Sequence, residues 1–160
     1  MLRIRPAQRS DAALILAFVR ELAEYEREPQ AAVATEEDLL RDGFGPQPRF
    51  HCLIAEWNHA PAGFALFFYN YSTWEGRAGI YIEDLFVRPA FRKQGIGRAL
   101  FASLARRAIE EKLSRIVWQV LDWNQPAIDF YNSLGAQPAA EWQTMRLSGD
   151  AICALAATGL

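Results

Sequence analysis

From Gly79 to Lys112 an apolar stretch, a proline and a basic, glycine-bearing turn lead straight into an amphipathic segment. The turn reads Val87-Arg88-Pro89-Ala90-Phe91-Arg92-Lys93-Gln94-Gly95-Ile96-Gly97-Arg98. Gly79 to Val87 has the aromatic and β-branched content of a strand, here read as the central one, and Pro89 ends it for want of an N–H. Ala99, Leu100, Leu104 and Ala108 then recur at helical spacing, which predicts a helix from Arg98 to about Lys112. Strand, turn and helix in that order build an anion site. Gly95 and Gly97 let the backbone approach a ligand, and the first helical turn leaves N–H groups pointing along the axis. The helix dipole and the side chains of Arg92, Lys93 and Arg98 all favour negative charge there, so a pyrophosphate is the natural guest. The spacing is neither Gly-x-Gly-x-x-Gly nor a Gly-Lys-Ser/Thr loop, so it supports neither a dinucleotide loop nor a P-loop.

Around this unit the chain supplies more strands and helices. Leu2 to Arg5 alternates as a short strand that stops at Pro6. Ser10 is placed to cap a helix to about Glu26, with Ala13, Leu14, Leu16, Ala17, Val19, Leu22 and Ala23 as its apolar face. Thr35 caps a second helix through Asp42, ended by Gly43. Phe50–Glu56 and Gly63–Tyr71 read as a hairpin turning at Asn58-His59-Ala60-Pro61. Arg115–Leu121 reads as a strand, Pro126–Ser133 as a helix stopped at Gly135, Trp142–Leu147 as a last strand and Ala151–Ala157 as a closing helix. The pattern predicts a mixed α/β (α+β) single domain over residues 1–160, with a mostly antiparallel central sheet flanked by helices.

Composition narrows the function. With 51% hydrophobic and 22% charged residues in 160, the chain can bury a core. A net charge of -2 argues against nucleic-acid binding. No signal peptide, lipidation signal or apolar run of membrane-spanning length is visible, which predicts a cytoplasmic protein with no membrane partner. Cys52 and Cys153 read as reduced core thiols, and His51 and His59 make no ligand spacing with them, so no metal is expected.

A second motif lies about 27 residues beyond the loop: Asn124-Gln125-Pro126-Ala127-Ile128-Asp129-Phe130-Tyr131-Asn132-Ser133-Leu134-Gly135. Arg-x-x-Gly-x-Gly followed by this Asn-x-x-Ala-x-x-Phe-Tyr-x-x-x-Gly segment resembles the GNAT N-acetyltransferases. Glu21-Leu22-Ala23-Glu24-Tyr25-Glu26, Trp74-Glu75-Gly76, Tyr81-Ile82-Glu83-Asp84-Leu85-Phe86-Val87 and Trp123-Asn124-Gln125-Pro126 are similar to the diamine (spermidine/spermine) and thialysine branch. The likeness covers about residues 3 to 147.

The resemblance implies acetyl-CoA as cosubstrate and direct transfer to an amine in a ternary complex. Leu85, Phe86 and Val87 would pair with the pantetheine arm, and Arg92 to Arg98, with Gln94 and Ile96 among them, would cradle the pyrophosphate. Asn124, Pro126, Ala127 and Tyr131 would line the other side of the coenzyme. Tyr131 matches the tyrosine that protonates the departing thiolate, a fitting task for a phenol whose ordinary pKa is about 10. The amine brings its own barrier. With a pKa of about 10.4 it is neutral only about one part in a thousand near pH 7.4, a cost of roughly 4 kcal/mol. Glu83 is the candidate to take that proton, or to recognise the ammonium. A regular strand would turn adjacent Glu83 and Asp84 to opposite faces. Asp84, Tyr25, Glu26 and Trp74 complete the candidate substrate set.

Arg27 departs from the family pattern by putting positive charge where a polyamine would lie, which leaves a diamine, thialysine or another primary amine open. The family's habit also implies a homodimer. A peptide acetyltransferase and a non-catalytic acyl-CoA-binding module are the alternatives.

Overall fold

The computed structural model describes residues 1–159. Strands β1 (Leu2–Pro6), β2 (His51–Trp57), β3 (Ala60–Ser72), β4 (Arg77–Val87) and β5 (Ile116–Trp118) form one sheet in sequence order. The first three joints are antiparallel and β4–β5 is parallel, so the sheet is mostly antiparallel as its pattern predicts. The helices are α1 (Ala12–Tyr25), α2 (Glu36–Phe44), α3 (Ile96–Glu110), α4 (Gln125–Ser133) and α5 (Asp150–Ala156). The chain divides into two compact units, one ending at Asn124 and one beginning at Gln125. The first holds the sheet and α1–α3, the second α4 and α5.

β3 is buried without a break from Ala62 to Phe67, the mark of a strand covered on both faces. On one face Phe64, Leu66, Phe86, Cys52 and Ile54 meet Ile15, Leu16 and Phe18 of α1 and Leu39 of α2. The rings of Phe18 and Phe64 stack with centroids 5.1 Å apart. α3 takes the other face, burying Ile96, Leu100 and Leu104, and Arg107 lies over the Phe67 ring at 5.3 Å.

Several local expectations need correction. The strand entering the glycine loop is fourth in the sheet, beside the middle strand β3. α1 starts at Ala12 with Asp11 as its N-cap, one residue later than a Ser10 cap would place it, because Gln8 and Asp11 form a reciprocal cap around a short 3-10 turn. Its core residues include Ala12, Ile15 and Phe18, whereas Ala13 is exposed. Thr35 caps α2 as expected, but the helix runs through Gly43 to Phe44. The β2–β3 turn is Asn58-His59, both at positive φ (49° and 68°), which puts Ala60 and Pro61 inside β3. α3 begins at Ile96, two residues before Arg98. β5 stops at Trp118, leaving Val120 and Leu121 exposed. Trp142–Leu147 forms no strand and takes no part in the five-stranded sheet, and a strand outside a ladder is not stable. Cys153 lies exposed on α5, while Cys52 is the core thiol expected.

One ion-pair network ties β1 to α1. Arg5 donates through Nε to Glu56 Oε1 at 2.7 Å and through Nη1 and Nη2 to the Asp11 carboxylate at 2.7 and 3.0 Å. Asp11 also accepts the Gln8 N–H at 2.7 Å. The hydrogen bonds from Arg5 hold the Asp11 carboxyl below the usual range, against the opposing effect of burial. A lowered folded pKa stabilises the fold above the ordinary carboxylate value and loses that contribution as pH falls through the folded value. Asp11→Ala is therefore expected to cost about 2–3 kcal/mol at pH 7 in urea unfolding. The difference from wild type should shrink as pH drops below about 4. An equal loss at pH 7 and pH 2.5 would show that packing, not charge, is responsible.

Candidate functional site

The site starts from a defect in β4. Its register with β3 runs Ala65↔Leu85 and Leu66↔Asp84, then jumps to Phe67↔Ile82, so Glu83 has no partner. Such a bulge breaks strict alternation and bends the strand. β5 pairs only with Ile80–Ile82, so beyond the bulge one edge of β4 is left uncovered by its neighbour strand. Arg88 N–H donates to Ala62 O at 2.9 Å. The alternation set by that bond turns the N–H and C=O groups of Leu85 and Val87 to the uncovered edge. Behind them β3 presses close. A Cβ on Gly63 would sit 2.5 Å from Phe86 O, so only glycine fits there.

The two acids at the bulge have different surroundings. Glu83 is exposed and Asp84 partly buried, yet their charges are coupled. Burial beside Leu66 and Phe86, with like charge from Glu83 and from Glu26 of the α1 terminus, pushes the Asp84 carboxyl up to about 7. Burial raises Glu26 as well. Sequence alternation hid Asp84 as the perturbed acid, because a bulge has no residue signature of its own.

The α1 terminus is held over this end of β4. Arg88 donates to both Glu21 oxygens at 2.9 and 2.8 Å and to Pro61 O at 2.9 Å, and it lies over the Phe18 ring at 4.6 Å. These residues are 67 apart in sequence, and nothing local signals the pair. α1 then ends in a Schellman turn, with Glu28 N–H on Ala23 O at 2.9 Å and Arg27 N–H on Glu24 O at 3.0 Å. That turn places Arg27 at φ 66°, the position glycine usually takes, at a cost on the order of 1 kcal/mol.

Around the turn the side chains interleave. Tyr25 donates to Asn124 Oδ1 at 3.3 Å, and its ring is 6.4 Å from that of Trp123. The Arg27 guanidinium lies 3.9 Å over Trp123, and that of Arg92 lies 4.8 Å over Tyr25. Arg92 also bonds Val87 O at 3.0 Å, so it faces the α1 terminus.

The basic loop itself has left-handed backbone at Lys93 (φ 63°) and at Gly95 (φ 75°), the α3 N-cap. Glycine accepts that conformation without strain, and Lys93 is exposed. The first helical bond is Ala99 N–H to Gly95 O at 3.0 Å, so the N–H groups of Ile96, Gly97 and Arg98 precede the ladder. Gln94 is exposed between the two left-handed residues.

In the second unit, Pro126 and Ala127 lie in the first turn of α4, where proline's missing N–H costs nothing. Gln125 Nε2 donates to Asp129 at 2.6 Å. Tyr131 is partly buried with its ring 5.7 Å from that of Phe130, and Gly135 at φ 88° ends the helix. Trp74 sits in the β3–β4 turn, 88% exposed, at the far end of β4 from Val87. Among the described residues no three His, Cys, Asp or Glu side chains converge as a metal would require. Among them, too, no helix is long and apolar enough to cross a membrane. Burial pushes the Cys52 thiol up, far from nucleophilic use.

The geometry offers an uncovered strand edge, a helix N-terminus behind a basic turn, and three acids in one electrostatic cluster. A long anionic ligand with an amide-bearing arm fits the first two, since the arm can add to the edge while its phosphates meet the helix. Comparisons point the same way. The model of the Acetyltransferase (GNAT) family matches residues 15–136. Thialysine N-epsilon-acetyltransferase of Bos taurus is 42% identical over 164 aligned positions, covering 96% of each chain. Human spermidine/spermine N(1)-acetyltransferase-like protein 1 is 35% identical over 96% of this chain and 24% of its own length. An integron cassette protein from the mobile metagenome of V. cholerae superposes with a TM-score of 0.83 at 26% identity, over 98% of both chains.

Proposed function

This chain belongs to the acetyltransferase (GNAT) family, and from that premise we propose that it transfers acetyl from acetyl-CoA to a primary amine of a small molecule of the diamine or thialysine class. The observation that carries this reading is the bulge at Glu83. It joins an uncovered backbone edge to a carboxylate poised near neutral pH.

Leu85 and Val87, with Phe86 between them, would receive the pantetheine arm. Lys93 to Arg98 would hold the pyrophosphate, with Arg92 bridging back to Val87 and Tyr25. Asn124, Pro126, Ala127 and Tyr131 complete the expected coenzyme set. Bound there, acetyl-CoA supplies an activated acetyl thioester. The protein's share is to orient the amine and move its protons. Glu26, Glu83 and Asp84 receive the ammonium, and Asp84, whose carboxyl is matched to neutral pH, takes its proton directly or through water. Tyr131 gives its phenolic proton to the departing sulfur, and the second proton that the nitrogen sheds as the amide forms restores the phenol. N–H groups at the open edge of β4 stabilise charge on the acetyl oxygen, a contribution of roughly 3–4 kcal/mol in comparable arrangements. Transfer is direct, in keeping with a buried, poorly acidic Cys52.

Coenzyme A release from acetyl-CoA tests this against putrescine, spermidine, lysine, ornithine, thialysine, an amino sugar and a peptide. Turnover confined to small amines is the expected result. Tight acetyl-CoA binding with no turnover on any of them would establish a binding module instead, and preference for the peptide a protein-directed enzyme. The proposal extends to a cytoplasmic homodimer. Exposed Trp142, Met145, Leu147 and Leu155 offer apolar surface for such a contact. Sedimentation at micromolar protein checks it, and a monomer throughout that range would exclude it.

A further inference from the structure

Arg27 is a cation held among acids. Its neighbours are Glu26 and Glu28, yet among the described residues no carboxylate lies within ion-pair distance of its guanidinium. Instead the guanidinium carbon stands 3.9 Å over the centre of the Trp123 ring, a cation–π contact that does not use its N–H groups as donors to an oxygen. The backbone at this residue is left-handed, in a turn where glycine is the usual occupant. Arginine is thus kept at a strained position next to Tyr25 and Glu26, beside the acid cluster.

We infer that Arg27 selects the substrate by binding a carboxylate, so that the acceptor is an α-amino acid carrying a side-chain amine. This rests on the acetyl-transfer reading above. Such a molecule has its cation and its anion at opposite ends of a short chain. The side-chain ammonium goes to Glu26, Glu83 and Asp84, and the α-carboxylate to the guanidinium on Trp123. A diamine of the same length brings a second cation to Arg27 and is repelled. The adjacent positions 26 and 27 therefore discriminate by charge sign.

The turn supplies a clean variant. Arg27→Gly removes the guanidinium and puts the preferred residue in the left-handed position, so its melting temperature should equal or exceed that of wild type. Matched pairs differing only in the carboxylate, lysine with cadaverine and ornithine with putrescine, isolate the contact. Wild type is expected to show the higher kcat/KM for the amino acid of each pair. Arg27→Gly should lower that value about ten-fold, through KM with kcat little changed, as loss of a charge-assisted contact predicts. Turnover of the diamines should hold steady or rise, and Arg27→Lys should keep most of the preference. Turnover with a ratio that Arg27→Gly does not move, or an equal loss on both members of each pair, overturns this inference alone. Wild type silent on every amine overturns the acetyl-transfer reading and this inference with it.

Discussion

Asp84→Asn is expected to make the protein more stable above pH 7 and much less active. The two effects share one cause. Burial beside Leu66 and Phe86, then the charges of Glu83 and Glu26, raise the folded carboxyl to about 7. Between about pH 4 and 7 the folded state holds a proton that the unfolded chain has released, so stability falls as pH rises through this window. The full penalty is in place above 7. Three units at about 1.36 kcal/mol each set a ceiling of about 4 kcal/mol, and partial solvent contact brings the expected gain of the asparagine variant to about 2 kcal/mol. Urea unfolding at pH 4 should show little difference between the two proteins, and at pH 8 the whole of it. In turnover, wild-type kcat/KM should rise with pH through an apparent pKa near 7. That limb should vanish in the variant, with kcat/KM lower on the order of 100-fold. Glu83→Gln removes one of the like charges and should shift the limb to lower pH without abolishing it. A limb that persists near 7 in Asp84→Asn would take the proton-accepting role from this carboxyl.

How far the sequence carries depends on whether a feature is local. The strand-turn-helix unit was legible because Pro89, Gly95 and the apolar period of α3 each act within a few residues. Thr35 announced α2 for the same reason, since its side chain and that of Asp38 satisfy each other's backbone. The bulge was not legible. It is a relation between β3 and β4, and Glu83 reads as one more strand residue until the register is known. β5 was predicted too long because Val120 and Leu121 have strand character, but the partner strand has already turned away at the bulge. Ile15 and Phe18 lie outside the apolar face predicted for α1 from a Ser10 cap, and the Gln8–Asp11 exchange moves the cap to Asp11 and the start by one residue. Motif likeness singled out Tyr25 and Glu26 as substrate candidates. It could not identify the cluster that joins them to Trp123, Asn124 and Arg92, which depends on the Arg88–Glu21 clamp across 67 residues. Arg27 read as a departure from a polyamine pattern. Its place over the Trp123 ring, 3.9 Å from the centroid, is what the proposed carboxylate contact rests on.

Tyr131→Phe should lower kcat by 100- to 1,000-fold and leave KM for acetyl-CoA nearly unchanged. The substitution keeps the ring and its contact with Phe130, 5.7 Å away, so α4 has no packing reason to loosen. Only the phenolic O–H goes. A proton donor matters in this reaction at the moment the carbon–sulfur bond breaks, when charge collects on a thiolate. Its loss therefore falls on kcat and spares ground-state binding. Phe130→Leu is the matching control. It trims an aromatic contact and should cost about 1 kcal/mol of stability, with kcat within a few-fold of wild type. The two substitutions, side by side on one helix, separate chemistry from packing. Tyr131→Phe turnover within three-fold of wild type would remove the acid role, and water would then have to protonate the sulfur. A large rise in KM with kcat preserved would instead make Tyr131 a binding contact for the coenzyme.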